Sequence, residues 1–206
     1  AMISHVLSRC GVRHTAFIGG EYNGSNYVGE DGDLVVAEAC EYNRSFLHLH
    51  PTVCVCLNAE FDHPDCYENE ADVRTAFAAF MDNVPSQGTV ILPENLQYLT
   101  RKNTFTVGRG GSFCAKNVRC NKGKPSFDLY VDSKFVCKVR LSVVGRHNVN
   151  DALFALAAAY KLNVPLLQAA AAMTSFCGVN RRWTEVGGCE YKVVCDYAHH
   201  PTEIAC

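Results

Sequence analysis

The sequence is short of charge. Only 19% of its 206 residues are Asp, Glu, Lys or Arg, and 19 basic against 21 acidic side chains leave a formal net charge of -2. So balanced a chain lacks the cation excess that neutralising nucleic-acid phosphates requires, and nucleic acid is not an expected partner. It also lacks any apolar stretch near the roughly 18–20 residues that cross a bilayer, so no membrane is expected either. No Cys-x-x-Cys pair occurs, and the opening residues do not have the pattern of a secretory leader. Those absences bear on the twelve cysteines, which would otherwise suggest an extracellular disulfide framework. Cys54 and Cys56 sit inside the apolar run 52–57, and Cys10, Cys137 and Cys177 lie among hydrophobic neighbours. They read as free thiols packed as small hydrophobes in a reducing cytoplasm. The alternative, a zinc site from His48, His50, Cys54, Cys56 and His63, has the spacing of no standard finger or ribbon. What the chain does have is 48% hydrophobic residues, enough for a packed core and too many for a disordered chain.

The length suits one full α/β domain with part of another. Apolar runs at Thr15–Ile18, Leu34–Ala37, Thr52–Leu57 and Thr89–Leu92 alternate with helical periodicity over Glu68–Asn83 and Asn148–Leu162. Continuous apolar strands separated by helices predict an α/β fold, a mostly parallel sheet flanked by helices. From Thr104 to Val144 the pattern changes to short β-rich runs broken by NKGKPS and DSK, which predicts an antiparallel β appendage. The segment GVNRRWTEVGG reads as a linker, followed by a strand at Tyr191–Cys195, so we place a domain over residues 1–176 and the linker and start of a second over 177–206. The opening AMISHVLSRC has helical spacing without a capping residue in front. Pro201, Thr202 and Glu203 look like a first helical turn, and both ends are therefore expected to be cut from longer elements.

Parallel sheets place ligands at the carboxyl ends of their strands. Glu38 follows the run LVVA, and His63 follows TVCVCLN in the segment AEFDHPDCY; a carboxylate and an imidazole at two strand tips could converge on a divalent cation bridging phosphate oxygens. The plainer reading is a solvated Glu38, with Asp62, Asp65, Glu68 and Glu70 serving to cap the next helix. In VGRHNVNDALFALAAAY, Asn148 is placed as N-cap of a long Ala-rich helix, and its amide offers the donor and acceptor that an adenine edge requires. Arg181 and Arg182 beside Trp183 suit phosphate, and Asp196 at a strand end suits ribose hydroxyls, although an exposed basic pair on a linker would look the same. His199 and His200 could be ligands, a base, or turn filler. Gly108, Gly110 and Gly111 read as a turn, since no helix clearly follows them.

Six ordered motifs, AMISHVL, VAEACEYNRSFLHLHPT, LNAEFDHPDCY, GRHNVNDALFALAAA, GVNRRW and DYAHHPTEI, resemble those of the Mur ligases of peptidoglycan synthesis, over essentially the whole chain. Within the family the resemblance is strongest to the member that joins L-alanine to UDP-N-acetylmuramate, which would make those two molecules the substrates. It implies a three-domain cytoplasmic enzyme of which this chain is the central P-loop ATPase-like domain and the first strand of the third. The family's Gly-Lys-Thr phosphate loop would lie just upstream of AMISHVL. The implied reaction is ATP-dependent amide formation through an acyl phosphate. By resemblance, Glu38 and His63 would each bind Mg²⁺, Asn148 would read adenine, Arg182 would contact the phosphates and Asp196 the ribose. The family pattern GRHNxxN has a second asparagine where this sequence has Asp151. Aspartate keeps the acceptor for the adenine amino group and loses the donor for a ring nitrogen, which leaves open both Asp151 and a one-residue shift to Asn150. No lysine lies between His63 and Arg101, so the carbamylated lysine of some relatives is not expected. A non-catalytic nucleotide or UDP-sugar binding module, or a ligase for another amino-acid or peptide acceptor, are the competing readings.

Overall fold

The computed structural model describes residues 1–187 and 191–205. Gly188, which ends the linker-like segment, and the last residue of the second expected domain, Cys206, lie outside the described residues. In chain order the regular elements begin with α1 (Met2–Arg9), β1 (Thr15–Tyr22), β2 (Ser25–Val28), β3 (Val35–Ala37), β4 (Val53–Val55), α2 (Glu70–Asp82) and β5 (Thr89–Pro93). They continue with β6 (Thr104–Val107), β7 (Phe113–Asn121), β8 (Lys124–Val131), β9 (Lys134–Arg140), α3 (Asn148–Lys161), α4 (Leu166–Ala172), β10 (Thr184–Glu185), β11 (Val194–Cys195) and α5 (Pro201–Ala205).

The α/β architecture is as expected, but the expected single parallel sheet is divided. One sheet has six strands in the order β4-β5-β6-β7-β8-β9, parallel from β4 to β7 and antiparallel from β7 to β9. The appendage thus continues the parallel sheet. A separate three-stranded sheet, β2-β1-β3, pairs β1 in parallel with β3 and antiparallel with β2. β2 was not expected. It is the return strand of a hairpin turning on Asn23 (φ 53°) and Gly24 (φ 82°), the two successive positive-φ positions that suit a tight hairpin and that Asn-Gly adopts readily.

Strand alternation sorts side chains onto two cores. Val53, Val55 and Ile91 join the cluster built around α1 and α3, whereas Cys54, Cys56, Val90 and Leu92 join Phe46, Tyr67, Val73 and Phe80 beneath α2. Helix α3 is buried over nearly its whole middle, from Ala152 to Ala159. Its alanines let it lie close to the sheet while Leu153, Phe154 and Leu156 fill the space between. On the other face, Asn69 caps α2, its side chain accepting from Asp72 N at 3.0 Å, with Glu70 and Asp72 in the favourable first turn. Asn69 takes the capping role that the sequence reading gave to neighbouring carboxylates.

Helix α1 is tied down by two buried histidines with satisfied rings. His14 Nδ1–H donates to Val12 O (2.9 Å), so its Nε2 accepts from Ser4 (2.7 Å). His5 Nε2–H donates to Ala172 O (2.9 Å) and its Nδ1 accepts from Tyr22 (2.6 Å), joining α1 to β1 and to the end of α4. Burial pushes the His5 imidazole below its ordinary pKa, which suits this neutral arrangement. The cysteines among the described residues are free. Burial pushes Cys54 and Cys56 up to about 12, so both stay protonated hydrophobes rather than thiolate ligands. Cys177, expected among hydrophobic neighbours, is exposed.

Candidate functional site

The sequence candidates fall into two groups. The first forms around the N-terminal ends of α1 and α3. Glu38, directly after β3, is turned onto β1: its Oε2 accepts from Gly19 N at 2.9 Å. Only glycine permits this approach, because a Cβ on residue 19 would overlap the Glu38 carboxylate. Asp151, in the first turn of α3, is pushed above its ordinary value by burial, against the pull of His147 and Arg182. Partial burial also works to raise Asp196, but hydrogen bonds from Ala198 N and Trp183 N (2.8 Å each), together with Arg182 and His147, bring its carboxyl below the usual value. The charges of His147 and Arg182 act on both Asp151 and Asp196, which places these four side chains in one polar neighbourhood at the start of α3.

Asn148 is in the same place but not in its expected role. Helix α3 has His147 as N-cap without a side-chain hydrogen bond. The Asn148 amide instead donates back to Val144 O at 2.8 Å and lies 3.1 Å from His147 Nε2. The turn Gly145–Asn148 is already wound, with Asn148 N bonded to Gly145 O, so the helical start falls one residue earlier and Asn148 becomes its first residue.

Arg182 and Trp183 occupy a tightly turned segment in which Arg181 (φ 64°) and Trp183 (φ 48°) both have left-handed backbones. Arg181 N is held by Thr184 Oγ1 at 2.8 Å, and both guanidinium groups lie over the Tyr197 ring, at 4.9 Å for Arg181 and 5.9 Å for Arg182. Arg182 also meets Glu203 at 3.4 Å. A polar cavity of about 350 Å³ opens beside this segment, between the β1–β2 turn and residues 177–185, lined by Glu21, Asn23, Asn180, Arg182 and Trp183 among others.

The second group gathers around His63, and its nearest carboxylate is Glu41, not Glu38. His63 Nε2 lies 3.5 Å from Glu41 Oε1 and 3.9 Å from Asp62 Oδ2, with the Tyr42 ring edge-on at 5.1 Å. The loop carrying Glu41 is braced by two successive left-handed residues, Asn43 and Arg44 (φ 53° and 54°), which aim Arg44 at both oxygens of Asp72 and over Tyr67. Tyr67 in turn donates to Glu41 O at 2.6 Å. Sequence reasoning missed Glu41, and its only signal was a second carboxylate three residues after Glu38. Segment 196–205 bridges the groups. Glu203 reaches Arg182, while Thr202 donates to Glu60 (2.7 Å) and His200 lies near Phe61 O (3.4 Å) on the His63 loop.

Glu38 and His63 thus stand at two strand ends with separate partners, and among the described residues no three His, Cys, Asp or Glu side chains already form a metal cage. The donor types nevertheless suit Mg²⁺, which is bound through one or two carboxylates while phosphate oxygens and water complete its shell. The loop Gly108–Gly111 closes on a carboxylate of its own: Gly110 N donates to Glu94 Oε2 at 2.7 Å, and strand β7 follows, in keeping with a turn.

The family profile "Mur ligase middle domain" matches residues 15–159. A UDP-N-acetylmuramate--L-alanine ligase of Clostridium novyi is 35% identical over 99% of this chain and 47% of its own length. The enzyme of that name from Rubrobacter xylanophilus is 39% identical over the same shares. Among solved structures, the UDP-N-acetylmuramate-alanine ligase MurC of Thermotoga maritima superposes with a TM-score of 0.84 at 27% identity, covering 98% of this chain and 48% of that one. The chain spans about half the length of the curated relatives it matches.

Proposed function

Because the chain belongs to the Mur ligase family, we propose that it forms the ATP-handling part of a cytoplasmic ligase that joins L-alanine to UDP-N-acetylmuramate in peptidoglycan synthesis. A carboxylate is a poor acylating agent, so the reaction phosphorylates it first. The muramate carboxylate attacks the γ-phosphate of ATP, and the amine of L-alanine then displaces phosphate from the acyl phosphate. Such chemistry needs little from side chains beyond positioning and charge neutralisation. In this reading Arg182 neutralises phosphate charge, Asn148 and Asp151 face the base, and Asp196 faces the ribose. Glu38 and His63 would hold Mg²⁺, which when bound supplies charge neutralisation at the phosphate oxygens. Residues 1–176 would make up the ATPase-like domain and 177–206 the linker and start of the next.

The observation that carries this reading is the neighbourhood of Asp151, His147, Arg182 and Asp196 at the start of α3. The test is ADP release dependent on UDP-N-acetylmuramate and L-alanine by the full-length protein that carries these residues. Arg182→Ala and His63→Ala are each expected to reduce turnover about 100-fold or more, in line with the loss of one transition-state contact, while the circular dichroism spectrum stays unchanged. Undiminished Mg²⁺-dependent turnover in His63→Ala would refute its metal role.

A further inference from the structure

Arg182 sits on a linker that is clamped to the small sheet immediately before it. Asn180 engages Glu21, near the end of β1, twice: its N donates to Glu21 O at 2.8 Å and its Nδ2 to the Glu21 carboxylate at 2.9 Å. One residue earlier on each segment, Val179 lies so close to Gly20 that a Cβ there would stand 2.6 Å from Val179 Cγ1. Gly20 is an ordinary strand residue without positive φ, so it is this neighbour and not the backbone that calls for glycine. Val179 O accepts in turn from Arg182 N at 3.1 Å, closing a four-residue turn with Arg181 (φ 64°) in its left-handed position. The Asn180 side chain braces that turn from within, its Oδ1 accepting from Arg181 N at 3.0 Å. Arg182 therefore leaves a turn whose first two residues are both fixed on β1. The next residue, Trp183, donates from its N to Asp196 at 2.8 Å, so the same turn sets the carboxylate assigned to the ribose.

We propose that Glu21 and Gly20 are positioning residues for Arg182: Glu21 grips Asn180, Gly20 leaves room for Val179, and together they fix the turn from which the guanidinium reaches phosphate. The inference rests on the phosphate role given to Arg182 above and deepens it. Neither residue touches the nucleotide in this reading. An arginine on a free linker would have to be ordered each time a phosphate is bound, and the clamp removes that cost by holding its backbone in place beforehand. Where catalysis is mainly positioning, small displacements of a charged group are costly to rate. The bond between the Asn180 amide and the Glu21 carboxylate is exposed, so the fold itself has little to lose with it. That separation makes the role measurable.

The test is a pair of double-mutant cycles on turnover of the full-length protein, read as ADP release with ATP, UDP-N-acetylmuramate and L-alanine. Glu21→Ala is expected to lower kcat about tenfold, less than Arg182→Ala, because the charged group is displaced and not removed. The denaturation midpoint should stay where it is. Glu21→Gln keeps an acceptor for Asn180 and is expected to turn over like the wild type. In an Arg182→Ala background, Glu21→Ala is expected to add nothing, since a residue that acts through Arg182 has nothing left to position. Asn180→Asp sets two carboxylates against each other and should slow turnover. Adding Glu21→Gln to it restores the bond with donor and acceptor exchanged, and turnover should return. Gly20→Ala should likewise slow turnover, and Val179→Ala in the same chain should relieve the contact and restore it. Wild-type kcat in Glu21→Ala, or failure of both rescues, would overturn the inference. A Glu21→Ala loss that adds in full to that of Arg182→Ala would overturn it too, because Glu21 would then act on the fold at large. If Glu21→Ala does not fold, the Gly20 and Val179 pair decides by the same criteria. Undiminished turnover in Arg182→Ala alone would sink the phosphate role on which the inference stands.

Discussion

The two sheets of this molecule are built on different terms. In the six-stranded sheet, β5 is buried on both faces: Ile91 packs under α3 while Val90 and Leu92 pack under α2. In the small sheet only one face is covered. Ala16 and Ile18 are buried, whereas Phe17, Tyr27 and Val35 on the opposite face remain 54%, 50% and 60% exposed. The strand that is packed twice needs no specific polar contact to fix its place. Strand β1 is held by particular hydrogen bonds, from Gly19 N to Glu38 just after β3 and from the Tyr22 hydroxyl to His5 of α1. Stability is concentrated in the first sheet, and the proposed chemistry depends on how the second is hung from it.

The largest effect should come from opening the doubly covered core. Phe154, on α3, is essentially fully buried against the sheet, and Phe154→Ala is expected to cost about 3–5 kcal/mol of unfolding free energy through lost transfer and a cavity. Denaturant titration checks this, and a cost below about 1 kcal/mol would mean the core collapses around the gap. Removing the cap on the opposite face, Asn69→Ala, should cost about 1 kcal/mol by the same measurement. Phe17→Ala, on the uncovered face of the small sheet, should change stability by no more than about 0.5 kcal/mol. If Phe17→Ala were as costly as Phe154→Ala, the contrast between the sheets would be wrong.

The same contrast explains what could be read in advance. Strands β4 and β5 and helix α3 were legible because burial on two faces writes itself as continuous apolar residues, and the amino acids that do this are few. The short, half-exposed β2 left only the Asn23-Gly24 turn as its signature, and the division into two sheets was invisible because strand order is a matter of long-range pairing. Within the proposed site, Glu38 and Asp196 could be nominated because strand ends are local features and Arg182 because a basic pair stands beside an aromatic, whereas Asp151 entered only through the motif resemblance. The approach of Glu41 to His63 was not, since it hangs on Asn43 and Arg44 adopting left-handed backbones that non-glycine residues seldom take. Asn148 was misread by one residue because a polar residue before an apolar helix serves equally well as cap or as first turn.

Gly19→Ala sharpens the comparison from the side of function. The overlapped atom is the mobile end of the Glu38 side chain, so the methyl group can be accommodated by swinging the carboxylate away. The expected outcome is a stability change under about 1 kcal/mol together with at least a tenfold loss of Mg²⁺-dependent turnover in the full-length protein. Turnover at the wild-type level would show that the Glu38–Gly19 contact does not position the proposed site.

The smallest effect concerns the tie between the regions. Arg44, on the loop leaving the small sheet, grips Asp72 in the first turn of α2, and the hydrogen bond from Arg44 holds the Asp72 carboxyl below its ordinary value of 3.8. A depressed carboxyl contributes stability above its unfolded value and loses it as pH falls through the folded one. The stability difference between wild type and Arg44→Gln should therefore be small but constant near neutrality, shrink below pH 3.8, and vanish once Asp72 is protonated in the folded protein. Both groups are solvent-screened, so the charge effect should also diminish in high salt. If the difference instead persists unchanged in acid and in salt, Arg44 acts through its packing over Tyr67, and the small sheet is fastened to the segment ahead of α2 by an aromatic contact rather than to α2 by charge.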